Sequence, residues 1–291
     1  MTAITRSIYG ADLQSSEYIN KPYVPEAKTT VNERFNIHYN KIPSAGELHA
    51  LQYFCIGNKG HYATVSGDGF TNVAFYKHKP QDAGLYNFIP FVVRPELEDL
   101  STSERLQYGM RVPITVGSGL SAAVYWAYYF KKLDTNSLTP QKKIKTTVGG
   151  VSSYAPFEAD EANLTPIPEV PSNSQVNTSD GTSYEVVTSL DVSINALDAE
   201  EIRNACQIIY GDASRAVISE IGVISAVRKS VELLDKNLAN TAGTYFEAIR
   251  AVITDFVSTH HSLVESSNGI DLKLNLGASE PLQGTAVVSG I

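Results

Sequence analysis

The chain has 291 residues, of which 43% are hydrophobic and 19% charged, and its net charge at pH 7 is −8. This composition predicts one large or two ordinary folded domains, excludes a wholly disordered chain, and disfavours a surface that binds duplex nucleic acid. No apolar stretch approaches the about 20 residues of a membrane span. The N-terminus lacks the apolar core of a signal peptide. We therefore expect synthesis in a cytoplasm, with Cys55 and Cys206 as buried, reduced residues.

Residues 1–30 show no helical or strand period, yet they carry several tyrosines and prolines. Free tails are poor in aromatic residues, so an extended N-terminal arm that lies across a neighbouring subunit is the better prediction. The side chains expected to make these contacts are Tyr9, Tyr18, Tyr23 and Pro25.

Residues 31–155 are predicted to form a β-rich domain, because 13 of the 16 tyrosines precede residue 155. Glycine turns at 67–69 and 117–119 predict two hairpins, over residues 62–76 and 112–133. Ser101 and Glu104 form the pattern of a capping box, which predicts a short helix that begins there and ends near Gly109.

Trp126 lies in an aromatic run, residues 125–130, that would place aromatic side chains on both faces of a strand. Both faces must then be covered. The strand is either central in the core or has one face against another subunit, and carbohydrate stacking is a third use. Trp126 is therefore also a candidate for a subunit contact.

Residues 156–182 are predicted to form a linker between two domains. No Lys or Arg occurs from 146 to 201, whereas ten of the 31 acidic residues fall between 146 and 202. Prolines and a polar run predict a semi-extended acidic segment that joins two domains and docks on adjacent subunits. The prolines expected to make those contacts are Pro166, Pro168 and Pro171.

Residues 183–278 are predicted to form an α/β domain in the order β-α-β-α-β, and residues 279–291 a C-terminal arm. The first helix is expected to begin at a cap formed by Asp198 and Glu201 and to end at Gly211. A strand over 215–226 is followed by an apolar stripe of helical period. That stripe consists of Tyr245, Ala248, Ile249, Val252, Ile253, Phe256, Val257 and His260. The predicted fold class is α+β.

The residues that often carry chemistry show no catalytic or metal-binding spacing. Two alternatives remain open: a metal site assembled from His49, Cys55 and His61, and an enzyme site in which several of His61, Asp68, Glu98 and Asp99 converge. The main expectation is a non-enzymatic protein, with no catalytic, cofactor-binding or metal-binding residues, no cofactor and no small-molecule substrate.

Two segments carry a resemblance to tailed-bacteriophage virion structural proteins. Residues 218–223, ISEIGV, resemble a strand motif of baseplate and fibre proteins, and residues 111–115, RVPIT, are similar to a segment of tail-completion proteins. The resemblance implies repeated copies in a symmetric ring of a tail, baseplate or neck, held by arm exchange. Its partners would be copies of itself and other virion proteins, and its location the virion.

The alternative is a soluble binding module that contacts a receptor or a carbohydrate. That hypothesis predicts exposed aromatic side chains clustered near turns.

Overall fold

The structure is a computed structural model. It describes residues 3–7, 49–65, 71–136, 138–157, 181–233, 243–264 and 269–281, together with single positions between 10 and 37. The strands are β1 (Ala3–Arg6), β2 (Ala50–Gly57), β3 (His61–Val65), β4 (Thr71–Phe75), β5 (Phe88–Ile89), β6 (Val92–Pro95), β7 (Tyr108–Val116), β8 (Ala123–Lys132), β9 (Gln141–Val148), β10 (Val151–Pro156), β11 (Gly181–Ile194), β12 (Val217–Leu233), β13 (Gly243–Ser262) and β14 (Ile270–Pro281). The helices with full bounds are α1 (Thr102–Arg105) and α2 (Ala196–Tyr210).

The chain divides into two compact units. The larger unit comprises Met1–Asp134 and Val192–Asp271, and the smaller comprises Thr135–Asp191 and Leu272–Ile291. In the larger unit an antiparallel sheet has the order β1-β13-β12-β2-β8-β6, with β5 paired to β2 and β7 to β8. Strands β3 and β4 form a separate hairpin, and the smaller unit is built on the sheet β10-β9-β11-β14.

The core of the larger unit is centred on aromatic side chains. Phe35 makes edge-to-face contacts with Phe88, Tyr129 and Phe130, with ring centroids 4.7 to 4.9 Å apart. Each such pair contributes about 0.5–1.5 kcal/mol beyond the area that it buries. Residues 127–130 of β8 are all buried, so both faces of that strand are covered.

Helix α2 is held to the larger unit by one apolar face and two ion pairs. Its buried residues include Ile202, Ala205 and Cys206. Glu201 forms a bidentate pair with Arg94, at 2.5 and 2.7 Å, and Asp198 pairs with Lys131. The helix therefore combines hydrophobic burial with charge-assisted hydrogen bonds on one side.

The predicted α+β class, with a C-terminal β-α-β-α-β part, is wrong, because the second predicted helix is the 20-residue strand β13. Nearly every residue from 248 to 259 is buried, since the strand is covered on both faces and cannot show simple alternation. The described protein is mainly β, with α2 as the one long helix whose full bounds the structure gives.

Bulges explain why β13 imitates a helix in sequence. The register with β12 shifts at three places, between Ile218 and Glu220, between Val223 and Ile224, and between Ser225 and Val227. Each shift adds one residue to β13 and moves the following side chains to the other face. A strand without bulges repeats its apolar residues every two positions. Because the side chains change face at each shift, the apolar residues of β13 recur at intervals of three and four. At the third shift Arg250 adopts a left-handed φ of 52°.

The predicted linker connects two strands of one sheet. Strands β10 and β11 both pair with β9, on opposite sides of it. Residues 158–180 lie outside the described residues, but the strands that precede and follow them belong to the smaller unit. The role of this segment as a linker between two domains stays a prediction.

Several local predictions are confirmed. The two glycine hairpins are β3–β4 and β7–β8, and Ser101 and Glu104 form a complete capping box at α1. Helix α2 ends at Gly211 with φ 70°, but it begins three residues before the predicted cap, because Asn195 is its N-cap and Asp198 occupies the third helical position.

The described part of the N-terminal segment packs on β13 of the same chain. Strand β1 pairs with residues 255–258, and the Ser7 N–H donates to the Thr254 carbonyl at 2.9 Å. Gly10, Leu13, Gln14 and Glu17 have helical rather than extended backbone. None of the helices in the described ranges has the length and hydrophobicity needed to span a membrane.

The start of α2 can be tested by substitution. We expect Asn195→Ala to lower the free energy of unfolding by about 1 kcal/mol, because the Asn195 side chain accepts the Asp198 N–H. Glu200→Ala, on the exposed side of the same turn, is the control and should change it by less than about 0.5 kcal/mol. Equal effects in urea unfolding would contradict this N-cap.

Candidate functional site

The carboxylate of Glu220 is buried inside the larger unit, with no exposed surface. It accepts the backbone N–H of Tyr86 at 2.9 Å and that of Asn87 at 3.1 Å, and it lies 3.0 Å from Nε2 of His78. A β-carbon added at Gly57 would lie 2.4 Å from Oε1 of Glu220, so that position has no room for a side chain. Glu220 lies on β12 next to the first register shift, opposite Ser258 of β13.

His78 is held between two aromatic rings and two carboxylates. Its ring stacks on Phe256 at 4.1 Å and on Tyr86 at 4.5 Å between centroids. Its Nδ1 lies 3.1 Å from Oδ2 of Asp82, on the opposite side from Glu220. Each ring nitrogen of His78 thus lies within hydrogen-bonding distance of one carboxylate oxygen.

This network is structural rather than catalytic in its geometry. The side chains of His78 and Glu220 are 1% and 0% exposed, so no substrate atom reaches either group. The contacts instead fasten the segment before β5 to the first part of β12. A buried charge of this kind is tolerated only when its hydrogen-bonding capacity is satisfied, which the two backbone N–H groups and the imidazole achieve.

Three tyrosines extend the stacked rings to the protein surface. Tyr62, Tyr76 and Tyr86 are 40%, 47% and 47% exposed. The centroids of Tyr62 and Tyr76 are 4.7 Å apart, and those of Tyr76 and Tyr86 are 5.8 Å apart. We call these three residues the tyrosine ladder. Through His78 it is continuous with Phe256 in the core, so its inner end is fixed in place.

A polar cleft of about 320 Å³ opens where the connection from β2 to β3 meets the end of α2 and the start of β12. The side chains that shape it are Asn58, Lys59, His61, Asn87, Tyr210 and Arg215. We call this the Lys59–Arg215 cleft. Among the residues that the structure describes, no acidic side chain lines it.

Amide hydrogen bonds make one wall of the Lys59–Arg215 cleft rigid. Nδ2 of Asn87 donates to Oδ1 of Asn58 at 2.6 Å and to Oη of Tyr210 at 3.3 Å. Nδ2 of Asn58 donates in turn to the Arg215 carbonyl at 3.0 Å. Asn87 also carries one of the N–H groups that bind Glu220, so the wall is anchored to the buried carboxylate.

His61 adds a neutral group to the cleft. Burial, followed by the neighbouring His260, lowers the pKa of His61 below its ordinary value of 6.5. The two imidazoles lie 4.7 Å apart in an edge-on arrangement. The positive charge of the cleft at neutral pH therefore comes from Lys59 and Arg215.

Trp126 belongs to β8, where it is half-buried between two neighbouring strands. It pairs with Arg94 of β6 and with Pro113 of β7. The guanidinium of Arg111 lies 3.9 Å from the centroid of its ring and also binds Asp99 at 2.6 Å. These contacts account for the position of Trp126 within one chain, and its role as a subunit contact stays a prediction.

The other predicted contact residues lie outside the described residues. They are Tyr9, Tyr18, Tyr23, Pro25, Pro166, Pro168 and Pro171.

The two alternative sites of the sequence analysis are not assembled in the described part of the chain. No group of three His, Cys, Asp or Glu residues there has the arrangement of a metal site. Burial raises the pKa of the Cys55 thiol well above its usual range, and its Sγ lies 3.6 Å from the Gly222 carbonyl. Asp99 is bound by Arg105 and Arg111, away from His61, and Asp68 lies outside the described residues.

Sequence reasoning missed the network of His78 and Glu220. A signal was present, because Glu220 is a single acid in the apolar and β-branched run of residues 216–226, and a buried acid needs partners. The partners of Glu220 could not be predicted from the sequence, since His78 lies 142 positions away along the chain.

The buried carboxylate gives a stability prediction. We expect Glu220→Gln to lower the free energy of unfolding by about 3 kcal/mol, because one amide oxygen cannot replace two carboxylate oxygens that bind three donors. The control is Asp82→Asn, whose side chain is 27% exposed and which should cost about 1 kcal/mol. Equal losses in chemical unfolding would show that Glu220 is not the anchor.

His49 gives a prediction about pH. Burial, and then the charge of Arg250, lower the pKa of His49 from 6.5 to about 4. The unfolded chain takes up a proton near pH 6.5 that the folded protein accepts only near pH 4. The free energy of unfolding should thus fall by about 3 kcal/mol as the pH drops through this window.

The variant His49→Gln isolates this effect. It should remove most of the pH dependence between pH 6.5 and 4.5, when unfolding is followed by denaturant titration at several pH values. An unchanged slope would mean that His49 is protonated as easily in the folded protein as in the unfolded chain.

Comparison with known proteins identifies a family but no characterised relative. No curated protein and no solved structure matches the chain significantly. One family model covers residues 1–290, almost the whole sequence. The chain belongs to that family, which is described as a family of unknown function (DUF7208).

Proposed function

We propose that this protein is a non-enzymatic structural or assembly protein of a tailed-phage particle, part of a tail, baseplate or neck. Its partners are copies of itself and other virion proteins, and its place is the virion. The assignment to a phage rests on the resemblance of residues 111–115 and 218–223, which lie in β7 and β12. The assembly role rests on surface features of the strands.

The observation that carries the proposal is a strand pair with exposed apolar side chains. All six residues of β10 are exposed. Val148 and Val151 face each other across the turn between β9 and β10, and they are 67% and 74% exposed, whereas Tyr154, which is 57% exposed, lies on the other face of β10. Apolar side chains clustered on an exposed strand mark surfaces that associate with another chain.

The β3–β4 hairpin in the larger unit also exposes apolar side chains. Its two strands pair only with each other among the described strands, and Val65 and Val73 are exposed. A two-stranded hairpin is marginally stable by itself in water. A neighbouring subunit that covers one face would supply the missing hydrophobic contact.

Strand β1 offers a route to arm exchange. It occupies the edge of the sheet, where four residues pair with β13. The same pairing forms equally well when β1 comes from another copy, which is the usual basis of exchange between identical subunits. The short length of β1 keeps the cost of leaving its own chain small.

A second candidate function is a binding module for a receptor or a carbohydrate. The tyrosine ladder favours it, because exposed aromatic rings near turns are what that function requires. The two candidates differ in the state of the pure protein, since a binding module is active as a monomer.

Assembly can be tested through the Val148–Val151 pair. We expect wild-type protein to form a closed oligomer of fixed mass in light scattering across a range of concentrations. The double variant Val148→Lys, Val151→Glu keeps a favourable cross-strand pair but removes the apolar surface, so it should shift the mass toward the monomer.

The control is Thr147→Lys, Ser152→Glu, the neighbouring cross-strand pair on the opposite face. It should leave the oligomer intact. A wild-type protein that stays monomeric at all concentrations, or a double variant with unchanged mass, would overturn the assembly role of this surface.

A further inference from the structure

The Lys59–Arg215 cleft is a positively charged site in an acidic protein. The whole chain carries a net charge of −8, yet the charged side chains that line the cleft are one lysine and one arginine. Lys59 forms no ion pair with any residue in the described ranges. Two cations in a concave site, of which only Arg215 has an acidic neighbour, favour an anion, because the concave wall limits the screening water around it.

The acid nearest to Arg215 does not neutralise the cleft. Oδ2 of Asp212 lies 4.0 Å from Nε of Arg215, and their side chains are 50% and 57% exposed, so the pair is weak. Oδ1 of Asp212 instead accepts the Ser214 N–H at 2.9 Å. Hydrogen bonds from the side chain and backbone of Ser214 lower the pKa of Asp212. The guanidinium of Arg215 therefore remains available to a ligand.

Tyr210 supplies both a donor and an apolar surface. Its Oη accepts a hydrogen bond from Asn87, which leaves the phenol hydrogen to donate elsewhere. The Arg215 guanidinium lies 5.5 Å from the centroid of its ring. A ligand that reaches Arg215 therefore lies beside an aromatic ring held in place by the Asn58–Asn87 wall.

We propose that the Lys59–Arg215 cleft binds a small anionic molecule. Its carboxylate or phosphate group would lie between the two cations, and its neutral part would contact Tyr210. Arginine and lysine are the residues that bind such groups through charge-assisted hydrogen bonds. A volume of about 320 Å³ is at the lower end of ligand sites and suits a single sugar acid or sugar phosphate. This inference is independent of the assembly role.

The test is calorimetric titration of the full chain at low salt with three probes: inorganic phosphate, glucuronate and uncharged glucose. We expect at least one anion to bind with a Kd of about 1 mM or tighter, and glucose not to bind. Lys59→Gln and Arg215→Gln should each weaken binding by about tenfold, the effect of losing one charge-assisted hydrogen bond.

Lys142→Gln is the matched control, because Lys142 is an exposed lysine of β9 outside the cleft. Its affinity should equal that of the wild type, and thermal unfolding will show that all the variants are folded. Binding of phosphate alone or glucuronate alone identifies which anion the site prefers. Failure of both anions to bind, or unchanged affinity in the Lys59→Gln, Arg215→Gln double variant, would overturn the proposal.

Discussion

The structure of the larger unit depends on the bulged pairing of β12 with β13. Fifteen residue pairs join these strands, and three register shifts interrupt them. Strand β1 adds to the free edge of β13, and β2 adds to the other side of β12. Glu220 lies in the part of β12 that pairs with both β13 and β2, and its side chain binds the segment that contains His78 and Asn87. The pairing of β12 with β13 thus supports the sheet, the buried network of Glu220 and one wall of the cleft.

Burial divides the charged residues of the larger unit into two groups. Glu220 and His78 are enclosed and fully engaged with each other, with Asp82 and with backbone donors, so they stabilise the fold and cannot take part in binding. Lys59 and Arg215 are open to solvent at the end of the same hydrogen-bonded chain. Asn87 connects the two groups, because its backbone binds Glu220 and its side chain forms the cleft wall. A ligand in the cleft would therefore contact a preorganised surface, which reduces the entropy lost on binding.

The exposed strand β10 is the feature of the fold on which the proposed assembly role depends. Antiparallel sheets usually bury one face, yet β10 buries none of its residues in the single chain. Contact with other subunits would cover these side chains and protect free strand edges from unspecific pairing. The tyrosine ladder is different, since its rings already contact one another and end in the core.

The sequence by itself determined the local features of this protein. These features could be predicted because each depends on residues only a few positions apart: the glycine turns, the capping box at Ser101 and the end of α2 at Gly211. Only the tertiary structure decided that β13 is a strand, since its helix-like pattern arises from bulges against β12. Only the structure assembled His78 with Glu220 and Lys59 with Arg215, which are distant in sequence. Contacts between distant residues depend on strand register, and register is a property of the whole sheet rather than of any one segment.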